Sequence, residues 1–210
     1  MSGQGETSWR GRLKGQAVGR AKALPLKSIT RIAVVVVLAG SAAFGGLADA
    51  AEPPIAEREL GQPHHGSPLT ITVQGVSVVD VLPGNSAAPE PGQSFLRVRA
   101  ELVNEWDEPL LRPLDAVRVS GVDGLDATAE AEMVLYAADG DELLRLQPGV
   151  PTVVDLVWSV RTAAATPGSP VTVELFDLSL YTFTAVAVGQ EWSDPTLAVT
   201  MPAVIETAAD

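Results

Sequence analysis

SFLRVRAELVN, residues 94–104, is the stretch that decides the fold class. Leu96, Val98, Ala100 and Leu102 alternate with Arg97, Arg99 and Glu101. In a strand, a period of two sends the two sets to opposite faces. A helix would scatter the three charges around its surface and form no apolar stripe. The stretch reads as a strand with one buried face, and Arg97, Arg99 and Glu101 are expected in solvent on the other.

The same pattern continues on both sides. LTITVQGVSVVDVL at 69–82 is a strand with Gly75 at a bulge or a break. Further strands are expected at 116–121, 132–137, 152–160 and 171–176, around 181–188, and at 196–204, while 142–146 suits a short strand or a helical turn. In TVVDLVWSV, Trp158 is in phase with Val154, Leu156 and Val160, which sends it to the interior. GVDGLD, ADGD, QPG and TPGSP punctuate the series as turns. Seven to nine short strands without an amphipathic helix predict an all-β, antiparallel sandwich over residues 68–205. The chain has no cysteine, so the hydrophobic core alone must hold this domain.

RIAVVVVLAGSAAFGGLADAAEPP at 31–54 predicts the location of the domain. Ile32 to Ala48 carries no charge, and as a helix it spans roughly 26 Å, close to a bilayer hydrocarbon core. Seven basic residues at or before Arg31, opposed by Glu6 alone, place the N-terminus in the cytoplasm. Residues 29–50 are therefore read as one transmembrane signal-anchor helix, residues 1–28 as a basic disordered cytoplasmic tail, and 51–67 as a linker. The alternative is a cleaved signal peptide. Ala48-Asp49-Ala50 is a small-x-small site, and cleavage near Ala50 would release a secreted domain. Both readings export the domain.

Beyond residue 31 the chain has seven Arg, no Lys and 25 acidic residues, a formal charge of −18. Nucleic-acid affinity rests on cations displacing counterions, so this composition speaks against a nucleic-acid partner. His64 and His65 lie in the linker and are read as solvated, which leaves the domain without its usual general base. No Gly-x-Ser-x-Gly, His-Glu-x-x-His or phosphate-cradling loop is present. Three acidic clusters (Asp139, Asp141 and Glu142; Asp123 and Asp126; Glu105, Asp107 and Glu108) suit solvated turns better than calcium ligands or a glycosidase pair. The reading is non-enzymatic, without cofactor or metal. Trp106 and Trp192, in or beside polar loops, are the candidate interaction surface.

Two motifs carry a resemblance. GQSFLRVRAELVNEWDEPL at 92–110 is a strand ending in Asn104 before a polar loop, and LQPGVPTVVDLVWSV at 146–160 places Leu-x-Pro-Gly before an aromatic-bearing strand. Together they resemble the immunoglobulin-like extracytoplasmic domain of unknown function found in bacterial cell-envelope proteins and lipoproteins. The resemblance spans about residues 60–205. It implies an accessory or binding module and supplies no catalytic residues. The chain departs from the lipoprotein members in having no lipobox Cys. The resulting expectation is a membrane-anchored interaction module with an envelope membrane protein as partner. A domain binding cell-wall glycan or calcium is the alternative, and a carboxylate-pair hydrolase comes third.

Overall fold

The computed structural model describes residues 54–111, 113–183 and 189–207. The expected cytoplasmic tail and transmembrane segment lie outside the described residues. Among the described residues, twelve strands, against the seven to nine expected, run in chain order: β1 (Ala56–Glu57), β2 (His64–His65), β3 (Leu69–Val79), β4 (Gln93–Asn104), β5 (Leu110–Leu111), β6 (Val117–Ser120), β7 (Met133–Tyr136), β8 (Arg145–Leu146), β9 (Thr152–Arg161), β10 (Pro170–Phe183), β11 (Gly189–Val204) and β12 (Glu206–Thr207). A 3₁₀ turn, Leu114–Ala116, leads into β6.

The first sheet has the order β1-β11-β10-β6, and the second β12-β3-β4-β9-β7, with β2 also on β3. One core joins their inner faces. Val117, Val119, Val173, Leu175, Val199 and Met201 from the first sheet meet Ile71, Leu96, Val98, Leu156 and Trp158 from the second. This is a β-sandwich, antiparallel throughout its long strands as expected. The exceptions are short: β1 on β11 and β12 on β3 pair in parallel.

The central strand β4 follows its pattern on the inner face, where Leu96, Val98, Ala100 and Leu102 are at most 1% exposed. In β3 the inner set changes phase. Leu69, Ile71 and Val73 face the core, and beyond Gln74-Gly75 it is Val76 that does so. A register shift between Val73 and Gly75 causes the change, so the expected bulge is present. Trp158 fills the interior at 1% exposure and donates from Nε1 to the Ala129 carbonyl at 3.2 Å.

Four features differ from the sequence expectation. First, Arg97 is not in solvent: it is 8% exposed, on the outer face of β4. That face carries a second small core of Val79, Leu82, Phe95, Leu135 and Val157, because the loop between β3 and β4 folds back over it. Where this loop crosses the turn after β7, two left-handed glycines meet. A Cβ on Gly84 would stand 1.7 Å from the Asp139 carbonyl oxygen, and one on Gly140 would stand 2.2 Å from that of Pro83.

Second, the segment read as a linker joins the sandwich. β1 extends the first sheet, while β2 and β12 lie in succession along the free edge of β3. Covering an edge in this way blunts its tendency to pair with other chains. Third, His64 is accordingly buried rather than solvated. Fourth, the separate strands expected at 171–176 and around 181–188 form one strand, β10, up to Phe183, paired along its length with β11.

Candidate functional site

Asn104 builds the site from the end of β4. Wholly buried, it donates from Nδ2 to the carbonyls of Glu108 (2.8 Å) and Leu146 (3.2 Å), and its Oδ1 accepts from the Trp106 amide at 3.0 Å. One side chain thus replaces the sheet ladder where the strand turns out. Pro148 and Gly149 form the facing turn, with Gly149 at φ 66° and its amide donating to the Asn104 carbonyl at 2.8 Å. The two motifs of the family resemblance are therefore in direct contact. Their joint effect is to hold the loop that carries Trp106.

Trp192 arrives from the other sheet. It lies in β11 opposite Leu180, so it is a strand residue and not the loop residue expected from GQEWSDP. Register irregularities at Leu175/Phe176 and Asp177/Ser179 bend the β10–β11 hairpin over the end of the sandwich. Asp194 adopts the left-handed region at φ 56° beside this bend, and the Tyr181 hydroxyl donates to its carboxylate. That bond holds the Tyr181 phenol above its ordinary pKa. The two indoles meet edge to face, centroids 6.0 Å apart and planes at 81°, an arrangement the ring quadrupoles favour. Both are half-buried and packed against the main core.

Together they line a cleft of about 650 Å³ with Phe183 and the carboxylate residues Glu108, Asp115 and Glu191. No Lys, Arg or His is among its described lining residues. The Trp192 Nε1 hydrogen is buried without a described acceptor. Hydrogen bonding with Asp115 holds the Glu130 carboxyl above its ordinary range, with burial adding to the effect. Leu180, Tyr181 and Phe183 are 38%, 41% and 44% exposed along the hairpin, and Phe183 lines the cleft. The structure thus brings the two candidate tryptophans into one site. It also adds Phe183 and Asp115, which no local sequence feature marked.

Other singled-out residues fall elsewhere. His64 Nε2 lies 2.8 Å from Asp177 Oδ1, binding β2 to β10, and His65 Nδ1 lies 3.1 Å from Thr70 Oγ1. The acidic clusters serve turns. Asp126 accepts from the Thr128 amide and hydroxyl at 2.8 Å, which keeps its carboxyl below the ordinary range, and Asp139 accepts from the Asp141 amide at 3.1 Å. Glu105 accepts from the Thr70 hydroxyl at 2.7 Å. Among the described residues, no group of three or more His, Cys, Asp or Glu could hold a metal ion. Sequence reasoning missed the Arg97–Asp155–Arg99 strip on the outer face. Its signal was Asp155 in an otherwise apolar strand, on the phase opposite Trp158.

No family model and no curated protein matches the chain. Among solved structures, it is similar to an uncharacterised β-sandwich protein from Clostridium difficile 630. The identity is 14% and the TM-score 0.49, over 73% of this chain and 97% of that one. It is also similar to a conserved hypothetical protein from Bacillus anthracis, at 22% identity and a TM-score of 0.38, over 55% of this chain and 87% of the other.

Proposed function

We propose that the chain is a non-enzymatic, extracytoplasmic interaction module, tethered by residues 29–50, that engages an integral protein of the cell envelope through the Trp106–Trp192 cleft. One observation carries the reading. Two tryptophans distant in sequence are brought together, half-buried, in an open cleft at one end of a sandwich. Clustered Trp in a partly desolvated pocket is the usual make-up of an interface hot spot. The immunoglobulin-like, envelope-type resemblance and the apolar run at 32–48 support the location. A second reading, cell-wall glycan binding, draws on the same cleft, since indole faces stack on sugars and carboxylates accept from their hydroxyls. Calcium has less in its favour, as no group of three or more His, Cys, Asp or Glu among the described residues is placed to hold a metal ion.

Location is tested by expressing the full chain in a bacterium, fractionating the cells and measuring the intact mass. The expected product is uncleaved and membrane-bound, and its domain is digested by protease added outside the membrane. A product starting near Ala51 in the medium would remove the anchor from the proposal and put wall-glycan pelleting first.

A further inference from the structure

The outer face of the second sheet carries a row of charges outside the lining of the Trp cleft. Arg99 stands opposite Asp155 in the β4–β9 register, and it donates from Nε and Nη2 to the two carboxylate oxygens, both at 2.8 Å. This bidentate pair occupies the Asp155 carboxylate in its preferred geometry. Arg97 lies one strand pair along, opposite Ser77, to which its Nε donates at 3.0 Å. Its Nη1 stays 3.7 Å from Asp155 Oδ2, too far for a hydrogen bond. Among the described residues, neither terminal nitrogen of Arg97 has a hydrogen-bond acceptor.

Arg97 is 8% exposed as a residue, and its terminal nitrogens keep contact with solvent through the pocket. One carboxylate serves two cations, and the nearer one holds it. Desolvation, partly offset by Asp155 and reinforced by the adjacent Arg99 charge, lowers the Arg97 pKa. Both arginines line a pocket of about 210 Å³. Its wall includes Gly75 at the β3 bulge, where open space would surround even a Cβ, so an incoming group can approach the backbone. Glu206, exposed on β12, lines the same pocket and forms no ion pair with either arginine.

We propose that this pocket is a binding site for a small oxyanion, a phosphate or carboxylate group, held by the free terminal nitrogens of Arg97 with help from Arg99. The planar guanidinium offers parallel donors matched to two oxygens of either group. The volume suits a single anionic group and not a whole nucleotide. The domain's net negative charge does not oppose this strongly, because charges beyond about 8–10 Å are largely screened at physiological salt. Asp155 and Glu206 limit affinity from within, so binding is selective for groups that can present two oxygens to Arg97.

The test is a titration of the full-length chain in nonionic detergent with inorganic phosphate, and separately with acetate, at constant ionic strength. Arginine Nε–H resonances are followed by NMR. Saturable shifts confined to Arg97 and Arg99 are expected, with exposed Arg145 unmoved. Arg97→Lys keeps the charge but loses the fork, and should weaken binding by about tenfold, the worth of one charge-assisted hydrogen bond. Glu206→Gln, at an exposed position that the fold does not depend on, should tighten it by about threefold by removing a like charge. If Arg97→Lys fails to fold, Glu206→Gln decides alone. Response to phosphate only identifies a phosphate site, and response to both identifies a general oxyanion site. Linear shifts shared by Arg145, or affinity unchanged in Glu206→Gln, would overturn the proposal.

Discussion

Asn104→Ala should lower the stability of the domain by about 3 kcal/mol, because three backbone groups lose their partner and each unsatisfied buried group is worth about 1–3 kcal/mol. The groups are the Glu108 and Leu146 carbonyls and the Trp106 amide. The Leu146 contact is fully buried and carries the full penalty, whereas the other two are part-buried and recover some hydration. A second consequence reaches the site. Trp106 is positioned through its amide, so its edge-to-face contact with Trp192 should loosen, and the shared tryptophan emission should shift toward that of exposed indole. Chemical denaturation read by far-UV circular dichroism measures the first effect, and native-state fluorescence the second. A loss below about 1 kcal/mol, the net worth of one ordinary hydrogen bond, would mean that Asn104 does not organise this loop. Asn104→Asp is an informative companion, since it keeps the acceptor for Trp106 and loses both donated bonds.

Trp158→Ala should have the larger effect, about 3–5 kcal/mol, the range for emptying a fully buried aromatic position. The side chain lies opposite Leu96 on β4, packed in the main core, and its Nε1 bond to Ala129 fastens the loop between β6 and β7. No disulfide supports the fold. A domain of this size has about 5–15 kcal/mol in total, so the variant should be near the edge of folding. Trp158→Phe separates the two contributions. It retains most of the apolar volume and should lose about 1–2 kcal/mol for the bond and the residual gap. Equal losses for Phe and Ala would place the weight on the Ala129 bond instead of on packing. Thermal or denaturant unfolding at matched conditions distinguishes these outcomes.

Inner faces were legible in the sequence because they obey a strict period. Leu96, Val98, Ala100 and Leu102 alternate without interruption, and Trp158 shares a phase with Val154, Leu156 and Val160. The bulge was legible too, since Gly75 stands in the middle of the run 69–82, and there the inward set of β3 changes from odd to even positions. The outer face was not. Period two says which side a residue points to, but not what lies over that side, and the loop after β3 covers Phe95 and Val157. Arg97 looked solvated for this reason. His64 was misplaced because a two-residue strand has no periodicity to detect, and only its pairing with Ile71 and its contact with Asp177 reveal it. Asp177 and Ser179 looked like the end of a strand, yet register irregularities allow β10 to pass through them.

The site was legible only by residue type. Trp106 and Trp192 stood out as aromatics amid polar neighbours, but their meeting depends on the bend of the β10–β11 hairpin and on the loop held by Asn104. Phe183 and Asp115 are unremarkable in their local sequence and join the cleft through that same geometry.

We propose this cleft as the place where the module meets an envelope membrane protein. The most direct measurement places a photo-crosslinking residue at Leu111 or Gln190, both on the cleft, and in separate variants at the exposed Leu144 and Val150 outside its lining. The full chain is irradiated in living cells, and adducts are identified by mass. A discrete adduct with one integral membrane protein from the cleft positions, lost when Trp106 and Trp192 are both alanine, is the expected result. Equal adducts from all four positions, or a cleft adduct that survives the double substitution, would contradict the account.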